Sequence, residues 1–206
     1  MLKVHYFFDP MCGWCFGATQ LVDIIQNHSE FELVLHPGGM IERQPIEVSF
    51  RQHIVQADKR IALETGATFG EAYLSRVNSE LPLVLDSFLA IRALYVASRI
   101  GLSGFDMLKA IQRAHYQLGQ NVEQGETLKR IAIELGADET QWQHEMDLQG
   151  AASVDWVNET HQLMVEHQVR GYPTLFADID GRWIRLPHSQ YYSQPQSWEA
   201  WLSTLL

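Results

Sequence analysis

The chain has 206 residues, 46% of them apolar and 19% charged, and its 15 basic against 25 acidic side chains give a formal charge of −10. This describes a globular chain with a real core; 11% aromatic content excludes disorder, and 14 Gly, 7 Pro and only 2 Cys exclude collagen-like and disulfide-scaffold classes. No Lys/Arg cluster exceeds the pair Lys129-Arg130, which argues against a nucleic-acid partner.

The opening stretch, residues 2–8, reads as a buried strand stopped by Asp9-Pro10. It lacks the 7–15-residue apolar core and cleavage site of a secretory leader, and no apolar run approaches the ~20 residues of a membrane span. A cytoplasmic protein with no membrane partner is expected. Two cysteines in a reducing compartment are more often catalytic or metal-binding than a structural staple. Their spacing, Cys12-Gly13-Trp14-Cys15, decides what they do.

A helix is predicted from this motif to about residue 28, with Leu21, Ile24, Ile25 and His28 at helical spacing. A second strand follows over 31–35 and ends at His36-Pro37-Gly38-Gly39, completing a βαβ unit. Gly38-Gly39-Met40 is either a plain strand exit or a loop approaching the site; without a following Gly-Lys-Ser/Thr it is no phosphate loop. From 44 to 150 the pattern is wholly helical. Asp86 or Ser87 begins a helix closed by Gly101, Gly136 closes another, and Asp138 with Gln141 resembles a capping box. Ser153 starts a further helix running to about 168. Residues 174–179 and 182–186 form a hairpin across Asp180-Gly181, and a last amphipathic helix carries Pro195 in its first turn. The division is a discontinuous α/β domain, 1–43 with 151–206, and a helical insertion domain, 44–150.

At a strand-to-helix junction, Cys12 occupies the helix N-terminus, where unpaired N–H groups and the macrodipole favour an anion. Thiol pKa values there fall from ~8.5 into the range ~3.5–7.5. For a pKa of ~6 the thiolate fraction at pH 7 rises about 30-fold, while a Brønsted coefficient of ~0.5 costs about 18-fold in nucleophilicity. The gain is therefore a better leaving group more than a faster attack. Cys15, one turn on, is placed to attack a mixed disulfide at Cys12. The bland alternatives are half a zinc site, for which no second pair is present, and an inert buried pair. No metal ligand set is assigned.

Val169-Arg170-Gly171-Tyr172-Pro173-Thr174 enters the third strand, where proline suits an edge, bend or cis turn. With the early Cys-x-x-Cys, this order resembles the DsbA family of thioredoxin-fold proteins, in the cytosolic branch described as protein-disulfide isomerases. Phe7-Phe8-Asp9-Pro10-Met11-Cys12-Gly13-Trp14-Cys15 is similar to the family's active-site strand and helix start, and 169–174 to its cis-proline segment. The resemblance implies an α/β thioredoxin fold with a large all-helical insertion, Cys12 as exposed nucleophile, Cys15 as resolving thiol and Pro173 as the cis-proline. Gly13, Trp14, Tyr172 and Thr174 then support or bind substrate, the Tyr172 backbone pairing with an extended chain. No bound cofactor is implied; glutathione or a protein thiol supplies electrons. Partners are disulfide-containing or unfolded proteins, or small disulfides.

Two departures stand out. Gly13-Trp14 replaces the Pro-His of strongly oxidising members, which predicts a milder oxidant. Tyr6 stands where many relatives carry a buried carboxylate that accepts the resolving thiol's proton, leaving Asp9 as a substitute or as a turn residue. Met11, Trp14, Phe16 and Tyr172 are expected as an apolar rim around Cys12. The competing readings are a glutathione-dependent transferase or isomerase of the kappa-class or 2-hydroxychromene-2-carboxylate isomerase type, with Arg170 on a glutathione carboxylate, and a non-catalytic holdase.

Overall fold

Strand β1 (Leu2–Phe8) alternates across the pleat. Val4, Tyr6 and Phe8 join the main core, while Phe7 faces a smaller cluster on the other side. The structure, a computed structural model, describes residues 1–206. Helix α1 (Gly13–Asn27) buries Cys15, Leu21, Val22 and Ile25, and β2 (Phe31–Pro37) returns parallel to β1 with Leu2 opposite Phe31.

The segment expected to be wholly helical contains one exception. β3 (Gln44–Pro45) pairs antiparallel with β4 (Val84–Leu85). Two-residue strands are too short to leave an alternating pattern in sequence, and this pair forms because Ile46, Leu83 and Leu85 bury themselves beside it. Around it lie α2 (Val48–Thr65), α3 (Glu71–Asn78), α4 (Ser87–Arg99), α5 (Gly104–Tyr116), α6 (Gly125–Glu134), α7 (Glu139–Leu148) and α8 (Gly150–Glu166). Caps explain several boundaries: Asp86 accepts the Leu89 N–H at 3.0 Å, and Asp138 that of Gln141 at 2.8 Å. Ser153 does not start α8. Only Gln149 separates α7 from α8, and the Ser153 hydroxyl donates back to the Gly150 carbonyl at 2.8 Å inside the first turn.

β5 (Thr174–Ile179) lies antiparallel on the other side of β1, and β6 (Arg182–Arg185) pairs with β5, giving the order β2-β1-β5-β6. The hairpin turns through Asp180 and Gly181 at φ +52° and +79°, the left-handed pair that a two-residue connection needs. A 3₁₀ turn, His188–Tyr191, escaped the sequence reading; α9 (Pro195–Leu202) follows. Trp198 of α9 is fully buried and donates its indole N–H to the Leu21 carbonyl at 3.0 Å, fixing α9 against α1. One cluster of 38 buried residues runs from β1, α1 and β5 through α4 to α7, so sheet and inserted helices share a core. No helix is long and apolar enough to cross a membrane.

Candidate active site

Cys12 is the N-cap of α1, with extended φ −89° and ψ 114°. The preceding turn closes when its N–H donates to the Asp9 carbonyl at 3.1 Å, and its own carbonyl accepts the first helical bond from Phe16. Its sulfur accepts the Cys15 N–H at 3.3 Å, so it sits on an otherwise orphaned helix donor. Both cysteines are free thiols. Cys12 is only 7% exposed, which corrects the expectation of an exposed nucleophile. The cis-proline segment covers it from above, and it is reached through a cleft. Cys15 is fully buried; burial and the adjoining Cys12 push its thiol well above the ordinary range. Burial and the two neighbouring sulfurs likewise push up the Tyr6 phenol.

The Tyr172–Pro173 bond is cis. The Cys12 thiol donates to the Tyr172 carbonyl in a long contact of 3.8 Å. Two features hold this segment. The Tyr172 ring occupies the space that a side chain at Gly38 would need, and its hydroxyl donates to the Met164 sulfur at 3.0 Å. Thr174 is buried, donates to the Gly171 carbonyl at 2.8 Å and accepts from Arg185 at 3.0 Å. It braces the loop and does not line the cleft.

Asp9 is fully buried, and burial raises its carboxyl. Its Oδ1 accepts from the Met11 N–H at 2.8 Å and the Ser87 hydroxyl at 2.7 Å, and its Oδ2 from the Met40 N–H at 2.6 Å. Asp9 thus ties α1, α4 and the loop after β2 together, and Met40 on that loop reaches the cleft.

Two openings meet at Trp14 and Tyr172. The larger, 980 Å³, runs between Cys12 and the inserted helices and is mainly apolar, with Met11, Met40, Ile46, Phe50, Ile54 and Leu83 among its walls. The smaller, 610 Å³, lies beside Pro173 and is lined by Arg185, His188, Ser189 and Gln190. Trp14 stacks on Tyr192 with ring centroids 5.9 Å apart, and the Arg60 guanidinium lies 5.6 Å from its ring. Met11, Trp14 and Tyr172 form the expected rim, but Phe16 does not; its ring stacks on Tyr116 at 4.8 Å and meets Phe69 edge-on, because position 16 lies on the face of α1 turned inward. Arg170 lines the larger cleft. Gly13 and Gly17, one turn apart, let α2 approach: a Cβ at Gly13 would stand 2.9 Å from Ile61 and 3.2 Å from the Asp58 carboxylate. No three His, Cys, Asp or Glu side chains are grouped to hold a metal ion.

Sequence reasoning missed Asp58, Tyr73 and the 188–190 turn. The one signal for Asp58 was its position between Ile54 and Ile61 on the apolar stripe of α2, where a carboxylate is out of place.

A dithiol at a helix start, capped by a cis-proline segment on this sheet, defines a thiol–disulfide oxidoreductase. A family model described as a DSBA-like thioredoxin domain matches residues 3–190, and the chain belongs to that family. Among solved structures it is similar to the cytosolic disulfide reductase DsbM from Pseudomonas aeruginosa, at 33% identity over 99% of this chain and 98% of that one, with a TM-score of 0.92. The DsbM structure with GSH (glutathione) aligns at 31% identity, covering 99% and 98%, with a TM-score of 0.90. A 2-hydroxychromene-2-carboxylate isomerase, 15% identical over 98% of this chain and 97% of that one, shares the fold with a TM-score of 0.59. No curated protein matches the chain in a sequence comparison.

Proposed function

We propose that the protein is a cytoplasmic disulfide reductase or isomerase working through the Cys12/Cys15 dithiol. The Cys12 thiolate attacks one sulfur of a substrate disulfide, forming a mixed disulfide and releasing the other half as a thiol. Cys15 gives up its proton, attacks the Cys12 sulfur and releases the second thiol, leaving a Cys12–Cys15 disulfide. Two glutathione thiols, or a protein dithiol, return the two electrons and two protons. The observation that carries this reading is the Cys12 sulfur itself: it is held on the Cys15 N–H at 3.3 Å, faces the Tyr172 carbonyl, and opens into a cleft.

The raised pKa of Cys15 makes resolution the proton-limited step, so its rate should climb as pH rises into the alkaline range. Glutathione as donor is supported by the GSH bound to DsbM, and the polar groove beside Pro173 offers Arg185, Ser189 and Gln190 to a peptide carboxylate. Insulin reduction and refolding of scrambled ribonuclease test the reading. Wild type should exceed Cys12→Ser by orders of magnitude; equal rates overturn it. The bound GSH of DsbM also favours a second reading, a single-thiol glutathione transferase or isomerase. Non-covalent glutathione binding that is unchanged in Cys15→Ser, with turnover intact, would select that reading over dithiol exchange.

A further inference from the structure

The larger cleft contains a carboxylate that the exchange described above does not use. Asp58, on α2, is 4% exposed and lines the cleft together with Cys12. Its Oδ2 accepts the Tyr73 hydroxyl at 2.8 Å. Its Oδ1 has no such partner and lies beside Gly13, the residue after the nucleophile. The contrast with Asp9 is informative. Asp9 is fully buried, accepts three hydrogen bonds and does not line the cleft, whereas Asp58 lines it and keeps one oxygen open towards it.

From this arrangement we infer that Asp58 is the proton donor to the thiolate that leaves into the apolar cleft during attack by Cys12, an assignment that rests on the exchange reaction proposed above. In water a departing thiolate needs no acid. Inside a cleft walled by Ile46, Phe50, Ile54 and Leu83 it is a desolvated anion, and a proton delivered as the S–S bond breaks removes that cost.

The step balances. The Cys12 thiolate and R–S–S–R′ give Cys12–S–S–R and R′–S⁻, and the Asp58 carboxylic acid passes its proton to R′–S⁻, leaving R′–SH and a carboxylate. When two donor thiols later reduce the Cys12–Cys15 disulfide, their two protons restore the Cys15 thiol and the Asp58 acid. Burial raises Asp58 to about 6, opposed by the Tyr73 hydrogen bond, so the acid form is present near neutrality. The groups facing it are Tyr73 from α3, His115 and Tyr116 from α5, Cys12 at the start of α1, and Glu47 and Arg170 at the cleft wall. None of these is a cation paired with the carboxylate; the Arg76 guanidinium near Tyr73 is engaged by Glu123 at 3.2 Å. An ionised Cys12 in the same cleft further disfavours an ionised Asp58.

The test compares two disulfides in single-turnover reactions of the reduced protein. The aromatic disulfide 5,5′-dithiobis(2-nitrobenzoate) releases a stable thiolate that needs no proton; bis(2-hydroxyethyl) disulfide releases a basic one. Their rate ratio cancels the ionisation of Cys12. For wild type, the ratio of alkyl to aromatic rate should fall as pH rises through about 6, approaching tenfold per pH unit. For Asp58→Asn the ratio should lie about tenfold lower at pH 6 and be flat with pH. A flat wild-type ratio, which requires no variant to fold, overturns the assignment, as does equal slowing of both disulfides in Asp58→Asn. Failure of the exchange reading itself looks different: wild type would then react with neither disulfide faster than Cys12→Ser.

Discussion

The two faces of the central sheet differ in chemistry although β1 supplies both. On the face under α1, Val4, Tyr6, Phe8, Leu175 and Ala177 enter the 38-residue core that also contains Cys12 and Cys15. On the opposite face, the His5 and His36 rings meet through Nδ1 and Nε2 at 2.8 Å, and Trp183 is sandwiched between His5 and His167 with centroids 3.7 Å from each. Phe7 stacks on His36 at 4.6 Å. Burial lowers both His5 and His36 to about 4. The alternation of one strand thus separates the floor of the thiol site from a ring stack in which burial disfavours the charged forms of His5 and His36. Acid should attack the fold from the back of the sheet, while loss of chemistry should come from the front.

The sharpest separation is expected from Cys12→Ser. It should lower disulfide reduction by roughly a thousandfold or more while leaving the urea midpoint nearly unchanged. Asp9→Ala should show the reverse emphasis. It strands the Met11 and Met40 N–H groups and the Ser87 hydroxyl in the interior, a loss of about 3 kcal/mol in urea unfolding. A loss below about 0.5 kcal/mol would mean that Asp9 is not the tie described here.

The back of the sheet is probed with the double variant His5→Leu/His36→Leu. Both folded-state pKa values, about 4, lie below the ordinary 6.5, so between those limits the unfolded chain binds more protons. Stability is therefore full above pH 6.5 and is lost as pH falls towards 4. In the double variant the unfolding free energy, measured by urea denaturation, should decline less steeply across this window, with the slope reduced by at most about 1.4 kcal/mol per pH unit for each histidine. Buried His115 and His188, lowered to about 3 and about 4, leave a residual slope. An unchanged slope would place the acid sensitivity outside the stack. The smallest effect is expected for Trp14→Ala, which removes the stack on Tyr192 at the meeting of the two clefts; KM for insulin should rise a few-fold with kcat retained.

Much of this architecture is legible in the sequence because it rests on local signals. Strand β1 is written in its β-branched and aromatic run, α4 and α7 in Asp86 and Asp138, and the hairpin in Asp180-Gly181. The dithiol and the proline opposite it are likewise readable as short motifs. What could not be read depends on contacts distant in sequence. The β3–β4 ladder joins residues forty apart, Phe16 faces inward only because Phe69 and Tyr116 meet it, and Asp9 declares its role only once Ser87 is beside it. Asp58 belongs to the same group. Its place in the cleft follows from the approach of α2 to Gly13 and Gly17, which no local pattern announces.

The most direct test of the central claim is to equilibrate the protein with glutathione buffers of graded ratio, quench in acid, alkylate the remaining thiols and weigh the products. Dithiol exchange predicts one two-electron transition in which Cys12 and Cys15 lose their thiols together, with a glutathione adduct accumulating on Cys12 only in Cys15→Ser. Two thiols that stay free at every ratio, or a wild-type adduct on Cys12 that Cys15 never displaces, would contradict it.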